Sequence, residues 1–172
     1  MRQTITSMSW LALALALFGS HVSCQTKGES PIPKDTNITL DRSGCYGTCP
    51  IYRLTIEADG SVTFEGRDYV KTKGTAKGHI SQEQLRQLIS EFEKIDYFSL
   101  RERYQDADDG CPSFATDMPS ADTSIQMNSR KKSVSHYLGC WERGGDFKIY
   151  PAALYKLEEK IDEIVNSKQW IK

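Results

Sequence analysis

Apolar and polar side chains alternate along the early part of the chain, which marks it as sheet. Residues 37–41 (Asn-Ile-Thr-Leu-Asp) alternate with period two and predict a first strand. Residues 51–58 place Tyr52, Leu54 and Ile56 on one face and Arg53, Thr55 and Glu57 on the other. Asp59-Gly60 predicts a tight hairpin turn, because glycine takes up the positive φ that a primed turn requires. Val62 and Phe64 continue the inward face on the returning strand, and residues 69–73 are expected to extend the meander.

After Ile80 the period changes. Ser81 and Gln84 form a capping box, and Leu85, Leu88, Ile89, Phe92 and Ile95 recur at helical spacing on one stripe. Period two returns over 123–127 and 133–138, joined by a polar turn over 128–131. A second helix is expected with Pro151 in its first turn and a stripe of Leu154, Leu157, Ile161, Ile164 and Val165. The elements together predict an α+β fold: an antiparallel β-sheet covered on one side by two amphipathic α-helices, a two-layer sandwich stapled by disulfides. The sheet face opposite the helices would stay in water and offer the natural binding surface.

Residues 1–23 carry a different pattern, that of a signal peptide. Arg2 gives a positive start, residues 10–18 are an unbroken apolar run, and Gly19-Ser20 end it. The run is too short to span a bilayer, which takes about 20 residues. Val22-Ser23-Cys24 resembles the end of a bacterial lipobox, in which a small residue precedes a cysteine that is diacylated and becomes the new N-terminus. His21 stands where that motif usually carries an aliphatic residue. The other reading is an ordinary signal-peptidase cut nearby, leaving Cys24 free or absent. Residues 24–36 are polar, with Gly28, Pro31 and Pro33, and read as a flexible tether. If the lipoprotein resemblance holds, Gln25 after the lipidated cysteine implies sorting to the outer membrane.

Beyond residue 23 the chain has the length of one domain, taken as 37–172. The formal charge is −1, and residues 1–23 hold Arg2 and no acid, so the exported chain carries −2. A weakly acidic, balanced surface gives no footprint for nucleic acid. The expected partners are the membrane, through the N-terminal lipid, and an envelope protein.

Five cysteines are present, and giving Cys24 to lipid leaves an even four. Cys45-Tyr46-Gly47-Thr48-Cys49-Pro50 admits a structural disulfide, a redox pair or half of a metal site. An exported chain favours the disulfide. A redox cysteine needs its pKa lowered, usually by a helix N-terminus, and here a strand follows Pro50. A metal site needs two further ligands at matching spacing, whereas Cys111, Cys140, His79 and His136 are scattered. The expected pairing is Cys45–Cys49 and Cys111–Cys140, each bracketing local structure, although four cysteines allow three connectivities. The loop formula gives about 2 kcal/mol for the short bridge and ~3.5 kcal/mol for the long one.

Arg42, the Cys45-to-Pro50 element, Tyr52, Asp59-Gly60 and Gly66 resemble the opening signature of a bacterial family, domain of unknown function 6438. Phe98, Leu100 and Tyr104 are similar to its middle segment. Asp109-Gly110-Cys111, Lys132, His136-Tyr137 and Gly139-Cys140 resemble its second half. Leu157-Glu158, Ile161-Asp162 and Trp170-Ile171 match its tail. The resemblance spans roughly 38–171 and implies a small envelope or secreted protein, and it brings no activity with it.

No catalytic constellation stands out. Asp106-Ala107-Asp108-Asp109-Gly110 suggests a calcium loop, but Gly110 falls at the fifth position, where an EF-hand wants an acid, and Asp117 stands where the twelfth position wants Glu. The loop reads as a solvated acidic turn. His136 shares a strand face with Val134, Leu138 and Cys140 and reads as partly buried and hydrogen-bonded. No metal or cofactor is expected. The chain reads as a cell-envelope binding or structural module without an evident catalytic site, with Cys45, Tyr46, Cys49 and His136 as the candidate binding or redox residues. The alternative is a thiol-disulfide or redox-sensing protein using Cys45 and Cys49. An envelope hydrolase would need a pocket lined by His136.

Overall fold

The computed structural model describes residues 31–144 and 147–172. The signal peptide, Cys24 and the tether as far as residue 30 lie outside the described residues. The described chain is α+β, with nine strands and three α-helices. Strands β1 (Asn37–Arg42), β2 (Ile51–Glu57), β3 (Ser61–Asp68) and β4 (Gly74–His79) come first. Helix α1 (Gln82–Lys94) and a short 3-10 turn (Tyr97–Ser99) follow. Then come β5 (Arg103–Tyr104), β6 (Ser113–Phe114), β7 (Ser120–Met127), β8 (Arg130–Tyr137) and β9 (Cys140–Trp141), and the chain finishes with α2 (Ala152–Ile164) and α3 (Lys168–Ile171).

Seven strands form one sheet in the order β4-β3-β2-β1-β7-β8-β5, and β6 pairs with β9 in a separate ribbon. Every pairing in the large sheet is antiparallel except β5 with β8. The period-two residues lock its register: Leu40 sits opposite Leu54, and Ile38 lies between Ile56 and Ile125. A shift by one residue would turn this whole apolar set to the other face. Leu85, Leu88, Ile89 and Phe92 of α1 join the inward strand residues in a single buried cluster with Leu154, Leu157, Ile161 and Ile164 of α2. The capping box on α1 is present, Ser81 Oγ accepting from Gln84 N at 3.1 Å and Gln84 Oε1 from Ser81 N at 2.9 Å.

Several expectations shift. Residues 69–73 form a turn, with Tyr69 in the left-handed region and Lys73 paired to Asp68 at 2.8 Å; the strand after it is β4. That strand is polar and lies at the sheet edge, so it lacks the alternation that would have announced it. Its Gly78 admits Trp170 of α3 so closely that a β-carbon would lie 2.9 Å from the indole. A third helix therefore contributes to the core through Trp170. The turn between β7 and β8 is two residues, Asn128 and Ser129, both at positive φ as a type I′ hairpin demands. Pro151 is the N-cap of α2, just ahead of its first turn.

Residues 31–36, expected in the tether, belong to the compact unit Pro31–Lys172. Ile32 packs against the core, and both Asp35 carboxylate oxygens accept from the β7–β8 turn, Oδ1 from Asn128 N at 3.1 Å and Oδ2 from Ser129 N at 2.6 Å. The chain therefore enters the sheet beside that turn.

The disulfides join Cys45 to Cys49 and Cys111 to Cys140. The first closes a sequence separation of 4 and the second one of 29. Removing both cysteines of the long bridge should cost ~3.5 kcal/mol, against about 2 kcal/mol for the short one. Thermal melting of the two paired Cys→Ala variants measures the difference. Equal losses would show that loop closure does not set the contributions.

Candidate functional site

Three groups of residues compete for the role of site: the free sheet face, a polar cluster under α2, and the end that carries both disulfides. The sheet face holds a shallow cleft of about 740 Å³ lined by residues including Thr39, Asp41, Arg53, Asp122, Ser124 and Ser133. Much of its chemistry is already used across strands. Asp41 pairs with Arg53 at 3.4 Å and with Arg67, and Thr39 Oγ1 meets Ser124 Oγ at 2.7 Å. Such exposed pairs each contribute little.

The cluster under α2 is built from residues far apart in sequence. Asp162 receives four hydrogen bonds. Arg42 donates to Oδ2 from Nε at 2.9 Å and from Nη2 at 2.8 Å. Tyr52 OH and Ser167 Oγ both donate to Oδ1 at 2.6 Å. Burial pulls the Arg42 pKa down, but the Asp162 carboxylate outweighs it and holds the guanidinium charged. Burial, then the Asp162 charge, pushes the Tyr52 phenol above its ordinary range, so it stays a donor. A cleft of about 640 Å³ opens above Arg42, Asp162 and Tyr155. Both carboxylate oxygens of Asp162 are satisfied, however, and the charged arginine has no basic lone pair. This cluster holds elements together and leaves no group to attack a substrate.

His136 lies deeper than expected. It and Glu158 are both 0% exposed. Its Nδ1 lies 2.8 Å from Glu158 Oε1 and its Nε2 lies 3.0 Å from Tyr150 O. Tyr150 O can only accept, so Nε2 carries a proton and donates it. The Glu158 carboxyl is pushed up by burial, and its Oε2 has no hydrogen-bond partner among the described residues. An unpartnered charged oxygen at this depth is costly. Both observations fit a protonated Glu158 donating from Oε1 to His136 Nδ1. With both nitrogens occupied and no exposure, His136 cannot serve as a general base, and the expectation of a partly buried ring is corrected. Glu158 was not anticipated as its partner, yet the sign was present: an acid at i+4 from Leu154 and i−3 from Ile161 lies within the apolar stripe of α2.

The disulfide end gathers the remaining candidates. Cys45 and Cys49 are half-buried, whereas Cys111 and Cys140 are buried. Tyr46, between the first pair, is 91% exposed, and its backbone N donates to Asp117 O at 3.1 Å. Ser43 and Ser120 tie the same two segments, Ser43 N to Ser120 O at 3.0 Å and Ser120 N to Ser43 Oγ at 2.7 Å. Next to them is a recess of about 310 Å³ lined by Gln105, Phe114, Thr116, Asp117, Ser120 and Tyr137. The Tyr137 hydroxyl is engaged, donating to Ala115 O at 2.8 Å and accepting from Met118 N at 3.1 Å. Gly139 permits that packing, since a β-carbon there would lie 2.3 Å from Ala115 O and 2.4 Å from the Tyr137 ring. Phe114 is 55% exposed. Of the other tyrosines, Tyr52, Tyr97 and Tyr104 are core, so the aromatic surface concentrates on fewer rings than the sequence count suggests. Phe114 and Asp117 were not singled out from sequence, because β6 is two residues long and no periodicity marks it.

The acidic segment 106–110 folds on itself, Asp106 Oδ1 accepting from Asp108 N at 3.0 Å and Asp109 N at 3.1 Å, while Asp109 pairs with Arg103 at 3.2 Å.

Two outcomes follow from the polar clusters. Asp162→Ala should destabilise the protein by roughly 3 kcal/mol, because it strands the mostly buried Arg42, whereas Tyr52→Phe should cost about 1 kcal/mol. Urea unfolding of the two variants ranks them. Glu158 has a raised folded pKa, so its contribution is complete below its ordinary value of 4.5 and declines as pH rises through the folded value. Glu158→Gln keeps a donor to His136 without a titration. The melting temperature of the natural protein relative to this variant should therefore fall as pH is raised from about 4.5 to about 8. Parallel curves would show that the carboxyl does not hold its proton in the fold.

A comparison with curated proteins finds no match. The family described as domain of unknown function (DUF6438) matches residues 36–165, well over half of the chain. That stretch takes in Arg42, the Cys45–Cys49 loop, Tyr52, the recess, His136, Glu158 and Asp162; the chain belongs to the DUF6438 family.

Proposed function

We propose that this protein is an exported recognition module, lipid-anchored to the bacterial envelope at Cys24, which binds its partner with the end that carries both disulfides. The observation that carries the reading is Tyr46, 91% exposed on a loop closed at both ends by Cys45–Cys49 and held from behind by Asp117. A large aromatic ring in water is unfavourable unless something covers it, and a ring fixed before binding loses little entropy on contact. On the sheet face Asp41 already pairs with Arg53 and Arg67, whereas the disulfide end combines exposed aromatic rings with unused hydrogen-bonding groups.

The position of the chain's start supports the same reading. Asp35 and Asn37 lie at the β7–β8 turn, whereas Arg42, at the far end of β1, leads directly to the disulfide loop. β1 is six residues long, about 20 Å at ~3.3 Å per residue. The residues that lead into β1 and the disulfide loop therefore lie at opposite ends of that strand. The partly exposed Cys45–Cys49 bridge also supports the second reading, a redox pair that cycles with an envelope dithiol. If that bridge stays oxidised below about −300 mV it is structural; reduction between about −120 and −230 mV, while Cys111–Cys140 resists, would favour the redox role.

The test expresses the full chain in a diderm bacterium. The natural chain should fractionate with membranes carrying a diacylated Cys24, and Cys24→Ser should release it. A photoreactive residue at position 46 should crosslink envelope material that the same residue at Asp59, on the opposite end, does not. A chain retained in the cytoplasm with residues 1–23 intact would overturn export, and equal crosslinking from both positions would overturn the assignment of the binding end.

A further inference from the structure

We propose that the recess beside Tyr46 is a saccharide site, taking one or two rings of a neutral oligosaccharide; this rests on the reading of the disulfide end as the binding end. The recess of about 310 Å³ is at the small end of ligand sites, which run from roughly 300 to 1,000 Å³. Its walls divide into two kinds of surface. Phe114 and Tyr137 supply ring surface, and the Tyr137 hydroxyl is taken up by Ala115 and Met118, so that residue offers its face rather than its oxygen. Aromatic faces carry partial negative charge and attract the weakly positive C–H face of a pyranose ring.

The second kind is a set of free acceptors. Gln105 Nε2 donates to Ser135 Oγ at 3.1 Å, which leaves its carbonyl oxygen unengaged. Asp117 Oδ2 accepts from Thr116 Oγ1 at 3.1 Å, which leaves Oδ1. Neither Gln105 Oε1, Asp117 Oδ1 nor the Ser120 hydroxyl has a hydrogen-bond partner among the described residues. Acceptors next to ring faces call for a ligand with an apolar side and several hydroxyl donors on its rim. A pyranose has that form.

Charge narrows the class. Asp117 is the one acidic residue of the lining, and no Lys or Arg is among these residues. An anionic sugar would meet Asp117 without a compensating cation, so neutral saccharides are favoured. A protein hot spot fits less well. It would press a side chain into the recess, and unless that chain brought donors it would strand Gln105 and Asp117 unpaired. Tyr46 is 91% exposed and its backbone N is bonded to Asp117 O, so the disulfide loop adjoins the recess and offers a ring to a longer chain.

The test is calorimetric titration of the full chain, purified in detergent, with three probes: chitotetraose, maltotetraose and the anionic tetragalacturonate. At least one neutral probe should bind, and Phe114→Ala and Asp117→Asn should each weaken it tenfold or more. Phe114 is exposed, and Asn accepts the positive φ of Asp117, so both variants should keep the natural melting temperature. Tyr46→Ala should weaken the neutral tetrasaccharide that binds and leave its disaccharide, chitobiose or maltose titrated alongside, unchanged. Three outcomes overturn the proposal: tighter binding of tetragalacturonate, no neutral probe binding better than about 10 mM, or neutral binding that survives both variants. A crosslinked protein that persists at position 46 in excess sugar would place a protein partner there instead. Sugar binding that fails while Cys24-dependent membrane recovery and position-46 crosslinking persist removes the saccharide and leaves the anchored module standing.

Discussion

Asp162 is the point at which the two halves of the chain are joined. Its carboxylate takes Arg42 from the end of β1, Tyr52 from the start of β2 and Ser167 from just before α3. Salt bridges at this depth are often no better than a hydrophobic substitute, since desolvation offsets the attraction. What they do add is position. Two N–H donors from one arginine on Oδ2 and two hydroxyls on Oδ1 fix the angle of α2 across the strand ends far more narrowly than leucines would, and the apolar stripe of α2 then packs in one register. Arg42, 120 residues away in sequence, and Tyr52, 110 away, meet on that single carboxylate.

The second buried pair, His136 with Glu158, sits on the same helix one turn earlier and joins α2 to β8. Between them the two pairs place Tyr137 and Gly139, which follow His136 directly, against the loop that carries Phe114 and Asp117. The strand that leads into the recess is thus tied to the seating of α2. The disulfides flank the recess: Cys111–Cys140 fixes the start of that loop to β9, and Cys45–Cys49 closes the loop whose Tyr46 N is bonded to Asp117 O. Both disulfides thus flank one small polar and aromatic surface.

The core was legible from sequence because its signals are local and periodic. Leu54, Phe64, Leu88 and Leu157 announce their faces by spacing alone, Ser81 and Gln84 announce a helix start, and the cysteine pairing follows from bracketing. β4 was missed because an edge strand with Gly74, Gly78 and Lys77 has no apolar face to alternate. β5, β6 and β9 are two residues each, and pairing partners far along the chain define them, not their own composition. The same holds for the site. Phe114 and Asp117 lie on a segment whose path is set by Cys111, Ala115 and Ser120 contacting distant strands, so nothing in their neighbours marked them. Glu158 is the intermediate case: its stripe position showed it faces inward, and only the fold could name His136.

The clamp that Asp35 places on the β7–β8 turn has a mechanical meaning. β1 is a central strand, paired on both sides over residues 37–42. A pull on Pro31 against a ligand gripped at the disulfide end would run along β1 from one end of the sheet to the other. Both hydrogen-bond ladders would then be loaded in shear, all rungs together, instead of being peeled one at a time. A protein tethered to a surface and holding something beyond it would fail last at the strand nearest its tether.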